Sequence, residues 1–187
     1  MRGAVRLLRE GVGSAPVLAL WKTGLCGYTE SEIAALENYV YTWNPRAEEW
    51  RRPFENNPAG LLQPQNEEAQ LALAGVEKLR AEVVPKLEEF VRRGRKNTAE
   101  QLSKNLYFLM DKFDAPKHAD EMGARLHAQG EVAYADKSRR AWDVAVGLLD
   151  EMAALAGAET LSAGEYDELF LLLVRATDFG QAPQVLE

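Results

Sequence analysis

The side chains able to make and break bonds are sparse in this chain, and their spacing argues against an assembled active site. The two histidines, His118 and His127, lie nine positions apart, so they do not form the i, i+4 pair bracketing a glutamate that zinc hydrolases use. Asp120 and Glu121 fall beside His118, but on one short helix that spacing is generic, and no metal site is expected. Cys26 is the single cysteine, which excludes an internal disulfide and any cysteine-clustered metal. It has no histidine close in sequence to activate it, so it reads as a small core residue. Glu165 and Glu168 form an acid pair, yet both fall in a first helical turn, where negative charge is favoured in any case. Lys22-Thr23 is the last pair of a phosphate-binding loop in type only. That loop needs glycine directly before the lysine and a strand leading in, and here Trp21 precedes Lys22.

Two groups remain that suit binding. Arg92, Arg93, Arg95 and Lys96 place four cations within five positions. They complement the dipole at a helix C-terminus and are also candidates for salt-dependent contact with DNA phosphates. Trp43, Arg46, Trp50, Arg51, Arg52 and Phe54 interleave aromatic and basic groups, a combination that stacks bases and grips a strand. The competing reading has the tryptophans pinning a long loop to the core. The candidate DNA-contact residues are therefore Arg92, Arg93, Arg95, Lys96, Trp50, Arg51 and Arg52.

The elements that position these groups read as helices. Thr29 with Glu32, Thr98 with Gln101, and Ser162 with Glu165 each have the spacing of a capping box. The first opens a helix to about Trp43 with Ile33, Leu36, Val40 and Trp43 on its apolar side. Asn44-Pro45 closes it, since the residue before proline leaves the helical region. Ser14 ahead of Ala15-Pro16 reads as a cap with proline in the first turn, and Gly24 as a stop. Residues 45–66 hold Pro45, Pro53, Pro58 and Pro64 and form one long loop, expected to pack onto the helices. Asn66 caps a helix to about Arg93, with Leu71, Ala74, Leu79, Val83, Leu87 and Phe90 inward and a kink at Pro85. Thr98 opens the next, through Leu102, Leu106, Leu109 and Phe113. A shorter helix begins at Pro116. Another runs from about Val132 to Ala156 with Trp142, Val146, Leu149 and Met152 inward. The last presents Tyr166, Leu169, Phe170, Leu173 and Val174, and residues 178–187 form an extended tail.

Composition agrees. Ala, Leu and Glu number 27, 25 and 21 of 187 residues, against 13 Val, 6 Thr and the lone Ile33. Strong helix formers in such excess oppose a sheet-rich fold. Hydrophobic content of 47% with 27% charged residues excludes a disordered chain. No apolar stretch is long enough to span a bilayer, and no signal-peptide pattern opens the chain. The expectation is a single cytoplasmic domain over 1–187, all-α, an irregular bundle of about eight helices without membrane contact. A net charge of −7 opposes a dedicated nucleic-acid binder while leaving local basic patches open.

Trp21-Lys22-Thr23-Gly24-Leu25, Glu32-Ile33 and Leu36-Glu37-Asn38-Tyr39-Val40 resemble a stretch of the AddB family, the B subunits of bacterial AddAB helicase–nucleases, which carry LKTGL followed by EIDxLENYxL. Trp21 departs from the usual leucine or tyrosine. Trp142 with Leu148-Leu149-Asp150 resembles that family's W…LLD helix, and Phe179-Gly180, Pro183 and Leu186-Glu187 its FGxxPxxLD exit. The resemblance implies that Lys22, Thr23, Gly24, Leu25, Leu36, Glu37, Asn38 and Tyr39 are structural motif residues. It implies a helical, 2B-like accessory subdomain excised from a much larger subunit that acts in double-strand break repair and recombination. The implied partners are the remainder of that subunit, an AddA-like helicase subunit and DNA. ATP, magnesium and an iron–sulfur cluster are implied only for the full complex; this segment shows no phosphate-binding loop, cysteine cluster or nuclease carboxylate set. By itself it reads as no enzyme. The alternative reading is a stand-alone helical protein–protein adaptor.

Overall fold

Reciprocal capping fixes the start of three helices, each at the expected residue. Thr29 Oγ1 accepts from the Glu32 N–H while the Glu32 carboxylate accepts from the Thr29 N–H at 2.8 Å. Thr98 with Gln101 and Ser162 with Glu165 repeat the arrangement. Each box satisfies two backbone donors that a helix start leaves open.

The computed structural model describes residues 2–94 and 97–177. Among them are eight α-helices: α1 (Arg2–Glu10), α2 (Ser14–Trp21), α3 (Glu30–Trp43), α4 (Glu67–Arg93), α5 (Ala99–Lys112), α6 (Ala115–Ala128), α7 (Val132–Ala156) and α8 (Ala163–Ala176). A 3-10 turn at Glu49–Arg51 interrupts the long loop. The all-α bundle expected from composition is thus observed. The expected 178–187 tail, with the Phe179 to Glu187 motif, lies outside the described residues.

One addition is a two-residue antiparallel pair, β1 (Asn97–Thr98) with β2 (Thr160–Leu161), in which Asn97 faces Leu161 and Thr98 faces Thr160. It ties the α4–α5 connection to the α7–α8 connection. Strands this short carry no periodicity, so no sequence pattern announces them.

α4 is the axis on which α1, α3 and α5 pack. Its buried side is Val76, Leu79, Val83, Val84, Leu87 and Phe90. Leu71 and Ala74, expected inward, are exposed, because no residue from Glu67 to Gly75 is buried: the first turns of α4 extend past the body. α4 also continues unbroken through Pro85. Pro85 and Ala81 both face out, so water reaches the carbonyl that the ring leaves without a donor.

Other elements follow the expected pattern with local shifts. On α3, Leu36, Tyr39 and Val40 are buried, with Ile33 and Trp43 half-buried at the margin. On α7 the burial centres on Leu148, Leu149 and Met152, and Trp142 and Val146 are half-buried. On α8, Tyr166 and Phe170 are buried and Leu169 is exposed. α6 starts one residue before Pro116, after Asp114 in the left-handed region at φ 49°. Ser14 does not cap α2; Gly13 takes that position without a side-chain bond. The Ser14 hydroxyl instead joins the loop to the helix, as the tryptophan geometry shows.

Candidate nucleic-acid interface

Of the aromatic residues between positions 43 and 54, Trp50 is the anchor, at 0% exposure. Its indole N–H donates to Ser14 Oγ at 3.2 Å, and Ser14 donates onward to the Pro45 carbonyl. The Trp50 carbonyl accepts from Arg80 Nη1 at 2.9 Å. Phe54 meets Trp50 edge-on at 5.3 Å and stacks on Tyr39 at 4.4 Å. Trp43 donates its indole N–H to the Asn57 carbonyl. Trp50 therefore cannot stack a base, and its candidacy for DNA contact is withdrawn. An indole that fills a pocket and finds a partner for its N–H is spent on packing.

Glu77 and Arg80 complete this anchor. Arg80 is buried and forks onto Glu77 through two 2.6 Å hydrogen bonds, while the Phe54 N–H donates to the same carboxylate. Burial pushes the Glu77 pKa upward. The hydrogen bonds from Arg80 and from Phe54, with the Arg80 charge, outweigh it and hold the carboxyl below its ordinary value. Nothing in the sequence marked Arg80 as the residue that locks the loop; an arginine midway along a helix reads as solvated.

The fold brings one cation of the loop group, Arg51, to the basic group at the end of α4. Arg51 pairs with Glu88 of α4 at 2.6 Å, one helical turn before Arg92. Arg93 pairs with Glu89 at 3.1 Å and lies over the Phe108 ring at 4.0 Å. Lys112 of α5 shares both partners, at 3.6 Å from Glu89 and 4.9 Å from the Phe108 centroid. Arg92 and Arg52 are exposed and make no ion pair among the described residues. Arg95 and Lys96 lie outside the described residues. The C-terminal end of α4 thus gathers Arg51, Arg92, Arg93 and Lys112, with two glutamates offsetting part of the charge. Arg93 is engaged in packing, and Arg92 is the side chain that projects.

The Lys22 to Leu25 and Leu36 to Tyr39 motif residues meet in space. Lys22, at the end of α2, pairs with Glu37 of α3. Thr23 Oγ1 donates to the Leu20 carbonyl at 2.6 Å and accepts from the Leu25 N–H. Gly24 turns at φ 73°, a conformation that suits a residue without Cβ. Leu36 and Tyr39 are buried, while Asn38 is exposed. These contacts hold the α2–α3 turn, and they disagree with a phosphate cradle, because the lysine is ion-paired and the hydroxyl is bonded to a carbonyl. Cys26 is buried and its thiol is pushed up to about 12 by burial, which suits a packed side chain and not a cluster ligand. His118 bonds Glu121 at 3.1 Å on its own helix. Among the described residues no group of three histidine, cysteine or carboxylate side chains is placed to hold a metal, and no helix is long and apolar enough to cross a membrane.

What this geometry defines is an all-helical packing module with one basic end. No family model matches the chain. It is 26% identical over 183 residues to the B subunit of the ATP-dependent helicase/deoxyribonuclease of Desulforudis audaxviator, covering 90% of this chain and 16% of that protein. The corresponding B subunit of Thermoanaerobacter sp. is 25% identical over 171 residues, covering 89% of this chain and 15% of that protein. That of Clostridioides difficile is 25% identical over 98% of this chain and 16% of its own length. The resemblance carried by the α2–α3 motif therefore extends along nearly the whole chain, and the chain spans 15 to 16% of the length of these relatives.

Proposed function

We propose that this chain is an accessory helical subdomain of an ATP-dependent helicase/deoxyribonuclease B subunit serving double-strand break repair and recombination. It performs no catalysis; it packs against the rest of its subunit, meets an AddA-like helicase subunit, and offers DNA the basic end of α4. The observation that carries the reading is the similarity itself, which covers 90% of this chain while covering 16% of a helicase/deoxyribonuclease B subunit. Its support from geometry is that Lys22, Thr23 and Cys26 are committed to holding a turn and a core. The chemistry of ATP, magnesium and an iron–sulfur cluster belongs, on this reading, to other parts of the assembly.

The test uses the complete subunit with its helicase partner. Replacing this segment by a short glycine–serine linker is expected to weaken assembly and ATP-dependent degradation of linear duplex, while cleavage of single-stranded DNA by the subunit persists. Full assembly and full degradation without the segment would refute the accessory role. ATP hydrolysis or DNA cleavage by the segment alone would refute the absence of its own chemistry.

A further inference from the structure

A hollow of about 260 Å³ lies where the hairpin of α6 and α7 meets α5 and the turn after α2. Its depth comes from small side chains. Ala115 and Ala119 of α6 and Ala141 and Ala145 of α7 line it, and larger residues at these positions would fill the space. The opposite wall is Leu20 of α2, Cys26, and Leu106, Leu109 and Phe113 of α5 and its C-terminal turn. Those wall residues are buried, whereas Met110, Met122, Ser138 and Trp142 are half-buried. The hollow therefore has a dry floor and a rim that solvent reaches.

The lining chemistry narrows the occupant. Among the described residues no charged side chain lines the hollow, so an ionic ligand would surrender its hydration without a partner. The polar groups are few and partly engaged. The Thr23 hydroxyl donates to the Leu20 carbonyl and accepts from the Leu25 N–H, and the Cys26 thiol faces the same Leu20 carbonyl at 3.9 Å. Water is well held only where several polar partners converge, so an apolar solute displaces it readily here. Met110, Met122 and Cys26 bring three sulfurs to the lining, and Phe113 and Trp142 bring two rings. Sulfur against a ring and ring against ring both favour a planar aromatic over an aliphatic chain of equal volume.

Size sets the number of rings. An apolar cavity of about 150 Å³ takes up one benzene, and the larger volume here suits two fused rings. We infer that the hollow between the α6–α7 hairpin and α5 is a binding site for a small, neutral, bicyclic aromatic molecule of the indole class. A ligand seated there touches α2, α5, α6 and α7 together, so it stabilises the docked hairpin by mass action. The site is independent of the subunit reading proposed above.

Indole is the probe, titrated into the 187-residue chain labelled with ¹³C-methyl methionine. The methyl signals of Met110 and Met122 should shift together and saturate, while that of Met152, buried outside the hollow, stays in place. The melting temperature should rise with indole concentration. Ala145→Leu fills the hollow from α7 and should weaken binding about tenfold or more. Ala141→Trp closes the hollow from an exposed position and should do the same without disturbing the core. Octanol, of comparable bulk, should bind about tenfold more weakly than indole. Absence of a saturable shift at Met110 and Met122, or undiminished binding in both variants, would overturn the site. Equal affinity for octanol would overturn the aromatic class of its ligand.

Discussion

Two buried tryptophans differ in one atom's surroundings, and that difference sets their energetics. Trp50 donates its indole N–H to Ser14, whereas Trp21, buried against Tyr28, has no partner for its N–H among the described residues. A buried donor left open costs about 1–3 kcal/mol, while a satisfied one contributes about 1 kcal/mol. Trp50→Phe is therefore expected to destabilise by about 1 kcal/mol more than Trp21→Phe, read as the shift in urea midpoint at constant m-value. Equal shifts would mean that the Ser14 bond contributes nothing net. Glu77 supports a second prediction at this scale. Its carboxyl titrates below the ordinary value when folded, so its stabilisation is fully present above the unfolded pKa and is lost as pH falls through the folded one. Between about pH 5 and pH 3 the melting temperature should fall less steeply in Glu77→Gln than in the parent. A parallel decline would place the acid sensitivity elsewhere. Composition and spacing could not separate Trp50 the anchor from Trp50 the stacking platform, since an aromatic–basic interleave serves both. The deciding partners, Ser14 and Arg80, lie 36 and 30 positions away.

Helix starts were the most legible elements, because a capping box is satisfied within four residues and needs nothing from the rest of the fold. Burial along a helix is different. The 3.6-residue stripe of α4 continues from Leu71 through Leu79 to Phe90, but whether a given turn has anything to pack against depends on where α3 and α5 end. Leu71 stays exposed although it continues the stripe, and the β1–β2 pair appears although nothing local announces it. The stripe thus gives the buried side of α4 correctly only from Leu79 onward, and it leaves out Val76 and Val84, which are buried as well. This predicts a sharp contrast along one helix. Leu79→Ala should cost about 2–5 kcal/mol, the range for an emptied core site, while Leu71→Ala should stay within about 0.5 kcal/mol, as surface changes do. Thermal melts of the two variants decide it. A large loss at Leu71 would show that the first turns of α4 are covered in solution.

At the scale of the whole molecule, a net charge of −7 conceals a division along α4. Acidic and apolar groups occupy its start, and Arg51, Arg92, Arg93 and Lys112 gather at its finish. Averaging over the chain erases that division, which is why composition alone opposes nucleic acid and geometry does not. The cations at the finish are not equivalent. Arg93 is tied to Glu89 and stacked on Phe108, so replacing it disturbs the α4–α5 contact as well as the surface. Arg92 is exposed and makes no ion pair among the described residues, which makes it the informative position. Each phosphate contact releases close to one counterion, and its loss reduces the slope of log K against log salt by about 0.9. In the complete subunit, Arg92→Glu is therefore expected to weaken duplex binding and flatten that slope, with melting temperature lowered only slightly by the lost complement to the α4 dipole. Leu62→Glu, at the opposite end, should leave both quantities as they were. Anisotropy titrations from low to high salt distinguish the outcomes. Superimposable curves for Arg92→Glu and the parent would remove DNA from the basic end and leave those cations as complements to the α4 dipole.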